Sequence, residues 1–375
     1  MKIAIDARGA NWYSGTGIGT YTSQLINHLV DIDKNNSYLL YWWGDDYRDF
    51  YRNNVTIHIA SKKHRKFFED QFFPSNLKSN SVDLYHIPQN GIGMPQKKSC
   101  KYISTVHDLI PYVMPETVGK GYLKRFISAM PQIIQNSDTI ITVSEFSKRD
   151  IIKIFNVDEN KVKVTPLAAE AYFKPIDKEK AQFYLKSNYN IDTDFLLYLG
   201  GFSPRKNVRS ILIAYSRIYK RLSKNYKIVI LGSANDDHSY LLELCDTLNI
   251  GDRVIFTGYV PYEDLPFFYN ASSVFVYPSL YEGFGLPPLE AMSCGIPVIT
   301  SNVSSIPEVV GNAALQINPF DTEELKLAIE KMLEDPIVWG TYAKLGYERS
   351  KLYTWQNTAE KTLQIYKDVC ELKQE

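Results

Sequence analysis

Two glutamates, Glu282 and Glu290, lie among glycines, prolines and small residues in YPSLYEGFGLPPLEAMSCGIPVIT (277–300). An apolar run ends at Pro278, so Glu282 falls in a loop with Gly283 and Gly285. Pro287 and Pro288 suit a first helical turn, whose amides need no partner inside the helix. The amides around Gly283, Phe284, Gly285 and Leu286 can then cradle a diphosphate. Glu282 precedes those amides and can reach a sugar. Glu290, at the beginning of the helix, can accept hydrogen bonds from ribose hydroxyls. A purely structural Glu290 would be a favourable charge at a helix start. That reading does not account for the surrounding glycines, prolines and small residues together.

Three further places carry possible chemistry. GGFSPRKNV (200–208) brings Arg205 and Lys206 to the end of an apolar run, ahead of a helix. Both offer charge to phosphate, arginine in a forked geometry; the bland alternative is a solvated basic turn. STVHDLIPYVMPE (104–116) ends another strand with His107 and Asp108. His107 can donate to a sugar hydroxyl or carry a transient charge, and a structural reading competes closely. Asp108 reads better as a loop or cap residue. In GANWYSGTGIGTY (9–21), Gly15, Gly17 and Gly19 sit just before a helix whose N-terminus can take a phosphate or a sugar. An ordinary strand-to-helix turn explains them equally well. They come too late after the strand for a dinucleotide fingerprint, Asp45 and Asp46 are poor ribose binders, and no Walker loop is present.

The elements that must position these residues form two series. In the first half, apolar runs at 2–7, 37–43, 55–59, 82–87, 101–107, 138–143 and 161–165 alternate with helical patterns such as 20–32. A polar stretch from Glu170 to Asp194, with a helix at 181–186, reads as a hinge region. Strands at 195–201, 227–233, 253–258, 273–279 and 297–301 follow, with helices at 207–222 and 239–249. Helices at 322–335 and 354–372 end the chain. The fold class expected is α/β, with two Rossmann-like doubly wound domains facing across a cleft. The expected domains are 1–175, an N-terminal acceptor-binding domain, and 176–350, a C-terminal nucleotide-sugar-binding domain. A last helix in 351–375 is expected to cross back to the first domain.

Composition narrows the class. A chain of 375 residues suits two cores better than one. Lys plus Arg equals Asp plus Glu, at 42 each, so no global field steers the chain to nucleic acid. The apolar start is too short for a signal peptide and no run approaches a membrane span. Cys100, Cys245, Cys294 and Cys370 have no metal-ligand spacing, and a reducing cytoplasm fits them.

Taken in order, the early glycine loop, the VHD segment, VSEFSKRD (143–150), PRKN, Glu282 through Glu290, and PEVVGNAA (307–314) resemble glycosyltransferase family 4. That is a large retaining family with the GT-B fold, and the resemblance covers nearly the whole chain. The PRKN and HDLIP variants look most like bacterial mannosyltransferases of surface-polysaccharide assembly (lipopolysaccharide or capsule). The resemblance implies that Glu282 contacts the transferred sugar and that Glu290 holds the donor ribose. It implies that Gly283, Phe284, Gly285 and Leu286 approach sugar and phosphates, with Lys206 stabilising the diphosphate and Arg205 assisting. It places His107 near the reacting centre, and Gly17 and Gly19 near the phosphate or the acceptor. Many members carry an arginine just after the first glycine of the second domain. Here that place reads Gly200-Gly201-Phe202, so either Arg205 supplies the charge or the clamp is altered.

The expected activity is retaining transfer of a hexose, with GDP-mannose the leading donor. The acceptor is expected to be a glycan or polyprenyl-linked glycan. Catalysis is expected to need no metal and no cofactor, since the nucleotide-sugar is a substrate and basic residues replace a DxD motif. Retention comes from the resemblance, with the donor phosphate helping to deprotonate the acceptor. SKKHRKFFEDQFFP (61–74) and GKGYLKRFISAMPQII (119–134), with Lys120, Lys124 and Arg125, mix basic and apolar residues. They suit peripheral contact with anionic lipid on the inner face of the cell membrane; each also reads as a solvated helix over a core. A UDP-sugar-dependent transferase, a nucleotide-sugar epimerase and a non-enzymatic nucleotide-sugar-binding protein are the competing readings. A dehydrogenase is disfavoured by the misplaced glycines.

Overall fold

The computed structural model describes residues 1–233 and 236–371. The chain divides into two compact units, residues 1–167 with 354–375, and residues 168–353.

The first unit is built on seven parallel strands: β1 (Lys2–Asp6), β2 (Ser37–Trp42), β3 (Val55–Ile59), β4 (Leu84–Ile87), β5 (Lys101–Thr105), β6 (Thr139–Thr142) and β7 (Val162–Val164). Their order is β3-β2-β1-β4-β5-β6-β7. Continuous apolar runs such as KIAID and TIIT are what a parallel sheet covered on both faces requires. The order reverses direction between β1 and β4, so the loops after these two strands diverge at their carboxyl ends.

Helix Gly17–Ile32 starts three residues earlier than the apolar pattern suggests, because Thr16 caps it through Gly19 N–H. The C-terminal helix Trp355–Glu371 belongs to this unit and packs against helix Gly17–Ile32. It buries Trp355, Ala359, Ile365, Tyr366 and Val369; burying one such large apolar side chain contributes roughly 1.5–3 kcal/mol. Buried polar groups lock it to the sheet. His86 Nδ1 lies 2.6 Å from Tyr366 Oη, its Nε2 2.8 Å from Thr105 Oγ1, and Tyr21 Oη 2.9 Å from the same hydroxyl. Leu372, the last residue of the expected helix, lies outside the described residues.

The second unit repeats the design with six parallel strands: β8 (Phe195–Leu199), β9 (Lys227–Leu231), β10 (Val254–Gly258), β11 (Val274–Tyr277), β12 (Val298–Ser301) and β13 (Leu315–Ile317). Their order is β10-β9-β8-β11-β12-β13, with the reversal between β8 and β11. The expected hinge helix runs over Lys178–Tyr189, capped by Asp177 and ended by Asn190 in the left-handed region. The helix expected over 207–222 stops at Ser216 and turns follow it. Neither β13 nor helix Pro336–Ser350 was expected. The first is three residues long, and the second leaves Ile337 and Leu345 exposed, so neither shows a clear apolar periodicity. Both units are therefore doubly wound parallel α/β sheets flanked by helices, as expected.

Candidate functional site

The second unit gathers its charged residues at the carboxyl ends of β8 and β11, beside the topological switch point. After β8, Gly200 (φ +150°) and Gly201 carry the chain into the short turn Pro204–Lys206. Close packing excludes a side chain nearby: a Cβ on Gly232 would meet the Gly200 carbonyl oxygen at 2.2 Å. Asn207 then adopts a left-handed conformation and donates from Nδ2 to the Pro319 and Pro278 carbonyls at 2.8 and 3.2 Å. Leu280 N–H donates to the Arg205 carbonyl at 2.8 Å. These bonds stitch the loop after β8 to the loop after β11.

Arg205, Lys206 and Glu282 are thereby brought together. Arg205 Nη1 and Lys206 Nζ donate to Glu282 Oε1 at 2.8 and 2.7 Å. Tyr277 Oη and Ser279 Oγ donate to the same oxygen at 2.9 and 2.5 Å. Lys206 also reaches Tyr277 Oη at 2.6 Å, and Arg205 the Tyr281 carbonyl at 2.6 Å. Burial alone pushes the Glu282 carboxyl up. The charges of Lys206 and Arg205, with hydrogen bonds from Lys206 and Ser279, outweigh it and hold the pKa at about 2. Glu282 is thus an anion clamped through Oε1 by two cations and two hydroxyls.

The loop from Glu282 leads into helix Leu286–Ser293. Gly285 stands at its N-cap with φ +102°, where a Cβ would lie 2.5 Å from Ile306 Cδ1. Phe284 is buried and packs edge-on against Tyr353. Glu282 N–H donates to Ser304 Oγ, and Ser305 Oγ donates to the Glu282 carbonyl. The turn is therefore fixed, with the amides ahead of the helix supplying positive potential.

Glu290 lies outside the Glu282 hydrogen-bond network. It is 2% exposed on helix Leu286–Ser293, and its oxygens accept from Tyr262 Oη and Tyr269 Oη at 2.9 and 2.8 Å. Burial raises its pKa to about 7 against the two tyrosine hydrogen bonds, with Glu170 adding to the rise. The two glutamates are thus driven in opposite directions. Sequence reasoning did not assign Tyr277, Ser279, Tyr262 or Tyr269. Tyr277 and Ser279 stand within the 277–300 segment, whereas nothing in the spacing links Tyr262 and Tyr269 to Glu290.

In the first unit, His107 follows β5 and is buried. Its Nε2 lies 2.9 Å from the Pro88 carbonyl and must carry the proton to donate there. Burial lowers its pKa to about 4 despite that bond, so the ring is neutral with Nδ1 as an acceptor. Asp108 Oδ1 accepts from Ile110 N–H at 3.0 Å, a loop-capping role. Gly17 and Gly19 open helix Gly17–Ile32, and a Cβ on Gly19 would clash with the Tyr13 carbonyl oxygen at 2.2 Å. Gly17 has open space around it. Among the described residues, no group of three or more His, Cys, Asp and Glu could hold a metal ion, and no helix is long and apolar enough to cross a membrane.

Two parallel doubly wound sheets, with a basic pair and a helix N-terminus at the switch point of the second, define the GT-B architecture. Residues 15–169 match the family model "Glycosyltransferase Family 4", and residues 180–351 match "Glycosyl transferases group 1". The chain is 33% identical over 284 residues to O-antigen chain mannosyltransferase B of Escherichia coli, covering 76% of this chain and 74% of that protein. It is 29% identical over 297 residues to the serotype-specific mannosyltransferase WbdA of Escherichia coli, 78% of this chain but only 36% of that longer protein. Sucrose-phosphate synthase from Thermosynechococcus elongatus shares the fold, with a TM-score of 0.76 at 23% identity over 98% of this chain and 99% of that one. The chain belongs to the family 4 glycosyltransferases.

Proposed function

We propose that the protein transfers mannose from GDP-mannose, with retention of configuration, to a glycan or lipid-linked glycan in surface-polysaccharide assembly. The observation that carries this reading is the convergence of Arg205 and Lys206 on Glu282 beside the helix N-terminus. The mannosyltransferase relatives support the choice of sugar.

The second unit takes the donor. As the bond from the sugar C1 to the phosphate oxygen breaks, negative charge grows on the departing diphosphate. Lys206, Arg205 and the amides around Gly285 stabilise that charge, with no metal ion required. Glu282 offers Oε2 to a hydroxyl of the transferred sugar, while Oε1 keeps both cations in place. Glu290 holds the ribose, its carboxyl already oriented by Tyr262 and Tyr269. The acceptor oxygen bonds to C1 on the face that the phosphate leaves, and the acceptor proton passes to a phosphate oxygen. His107, on the first unit, offers a neutral imidazole to a sugar hydroxyl. The first unit takes the acceptor, and its basic, aromatic surface segments rest on anionic lipid at the cytoplasmic face of the membrane.

A panel of GDP- and UDP-sugars titrated against the protein in EDTA tests this reading. Saturable binding with preference for GDP-mannose is expected. Preference for a UDP-sugar would overturn the donor, and no binding by the folded protein would overturn the transferase reading itself.

A further inference from the structure

A cavity of about 650 Å³ opens in the first unit and is lined by Trp12, Tyr13, Trp43, Arg65 and Arg125, with Asn11 and Gly44. It lies beyond the carboxyl ends of β1 and β2, since Trp12 and Tyr13 follow the first strand and Trp43 the second. Its volume suits a ligand of one or two sugar rings.

The cavity is built from long-range contacts. Trp12 and Trp43 meet edge to face, with centroids 5.4 Å apart and planes at 89°. Asn11 Nδ2 donates to the Trp43 carbonyl and ties the two loops together. The Trp12 ring carries two guanidinium groups, Arg8 at 4.4 Å and Arg65 at 4.5 Å. Arg8 is neutralised by Asp6, through Nε to Oδ1 and Nη2 to Oδ2, both at 2.7 Å. Arg65 is held on Trp12 by Nε donating to Glu69 Oε1 at 2.7 Å, a carboxylate that Arg8 Nη1 shares at 3.2 Å. The guanidinium is thus oriented before any ligand arrives.

The charged side chains that line the cavity are both cationic, and Arg65 is ion-paired behind the wall with Glu69. Arg65 and Arg125 line it, and no carboxylate is among its described lining residues. Both guanidinium groups act on the Tyr13 hydroxyl: burial raises its pKa, Arg125 and Arg65 pull it back, and Asp6 adds a smaller rise. The Trp12 indole N–H is buried without a partner among the described residues. Two arginines with an aromatic wall match a phosphate joined to a sugar ring. The arginines bind the oxygens in forked pairs, and the ring covers the apolar face of the sugar.

We propose that this cavity binds a saccharide bearing a phosphate, its phosphate on Arg65 and Arg125 and its sugar ring against Trp43 and Tyr13. The inference rests on the transferase reading for its purpose, because it names the acceptor as a phosphorylated saccharide. A diphosphate-linked lipid sugar and a free sugar phosphate share this chemistry.

The test uses the full chain, monitored by calorimetry. The probes are α-D-mannose 1-phosphate, methyl α-D-mannoside, inorganic phosphate and a farnesyl-diphosphate-linked N-acetylglucosamine. Arg125→Gln is the first variant, because Arg125 is an exposed helical residue whose exchange spares the core. Trp43→Ala is the second. The phosphorylated sugars bind more tightly than both methyl mannoside and inorganic phosphate, and each variant weakens them about tenfold or more. Tighter binding of the lipid-linked probe assigns the source to a lipid diphosphate; equal binding assigns it to free sugar phosphate. Equal affinity for methyl mannoside and mannose 1-phosphate overturns the proposal, as does unchanged affinity in both variants. GDP and UDP are titrated in parallel. Nucleotide binding without sugar-phosphate binding sinks this inference alone. Failure of both nucleotides to bind sinks the donor-site reading instead. Loss of nucleotide affinity in Arg125→Gln, with the sugar phosphate unaffected, reassigns the cavity to a nucleotide and overturns the proposal.

Discussion

At the residue scale, two buried glutamates differ in what surrounds them. Glu282 meets two cations and two hydroxyls on one oxygen, whereas Glu290 accepts from the hydroxyls of Tyr262 and Tyr269. Their effects on stability have opposite signs. The Glu290 pKa is raised in the fold, so its contribution is fully present below about 4.5 and is lost as pH rises through about 7. The Glu282 pKa is depressed, so its contribution is present above about 4.5 and is lost as pH falls toward about 2. Glu290→Gln should therefore flatten the fall in stability between pH 5 and 8, read by urea unfolding at several pH values. An unchanged pH slope would remove Glu290 as the cause. Glu282→Gln leaves two cations without their countercharge and should destabilise the second unit by about 3 kcal/mol, measured in the same titrations at neutral pH.

Much of this was legible because chemistry-bearing types clustered in short segments. Arg205, Lys206 and Glu282 each stood at the end of an apolar run, and the parallel sheet brings such ends together. What stayed hidden were the partners. Tyr262 and Tyr269 are separated from Glu290 by 28 and 21 residues, and a tyrosine among 27 carries no local mark of its role. Trp12, Trp43, Arg65 and Arg125 meet only through the fold, so their shared cavity had no signature in spacing.

At the element scale, the glycine that starts helix Leu286–Ser293 decides the shape of the proposed phosphate cradle. Gly285 combines a left-handed φ with the close approach of Ile306 Cδ1. Gly285→Ala should cost ~1–2 kcal/mol for the backbone alone and weaken nucleotide binding, checked by unfolding and by calorimetry. Full nucleotide affinity in a folded Gly285→Ala protein would show that the cradle tolerates a side chain. The strands were readable to within a few residues because parallel strands are continuous apolar runs. β13 and helix Pro336–Ser350 were missed because one is too short and the other too mixed to show a period.

At the scale of the whole molecule, the chain returns to its first unit after completing its second. The last helix buries apolar side chains there and partners His86 through Tyr366. Removing residues 354–375 should open the first unit while the second stays folded. Hydrogen exchange should then show lost protection in β1, β4 and β5 and retained protection in β8, β9 and β11. Equal loss in both units would mean that they fold as one cooperative body.

In the proposed transfer, the basic pair Arg205 and Lys206 clamps the departing diphosphate. The direct measurement is release of GDP from GDP-mannose, with acceptor and EDTA, by the wild-type protein and by Lys206→Ala. A basic clamp predicts turnover in EDTA and a fall in kcat on the order of 10²–10³ in the variant, with the fold intact by circular dichroism. Equal turnover by the two proteins, or turnover abolished by EDTA and restored by a divalent cation, would contradict it.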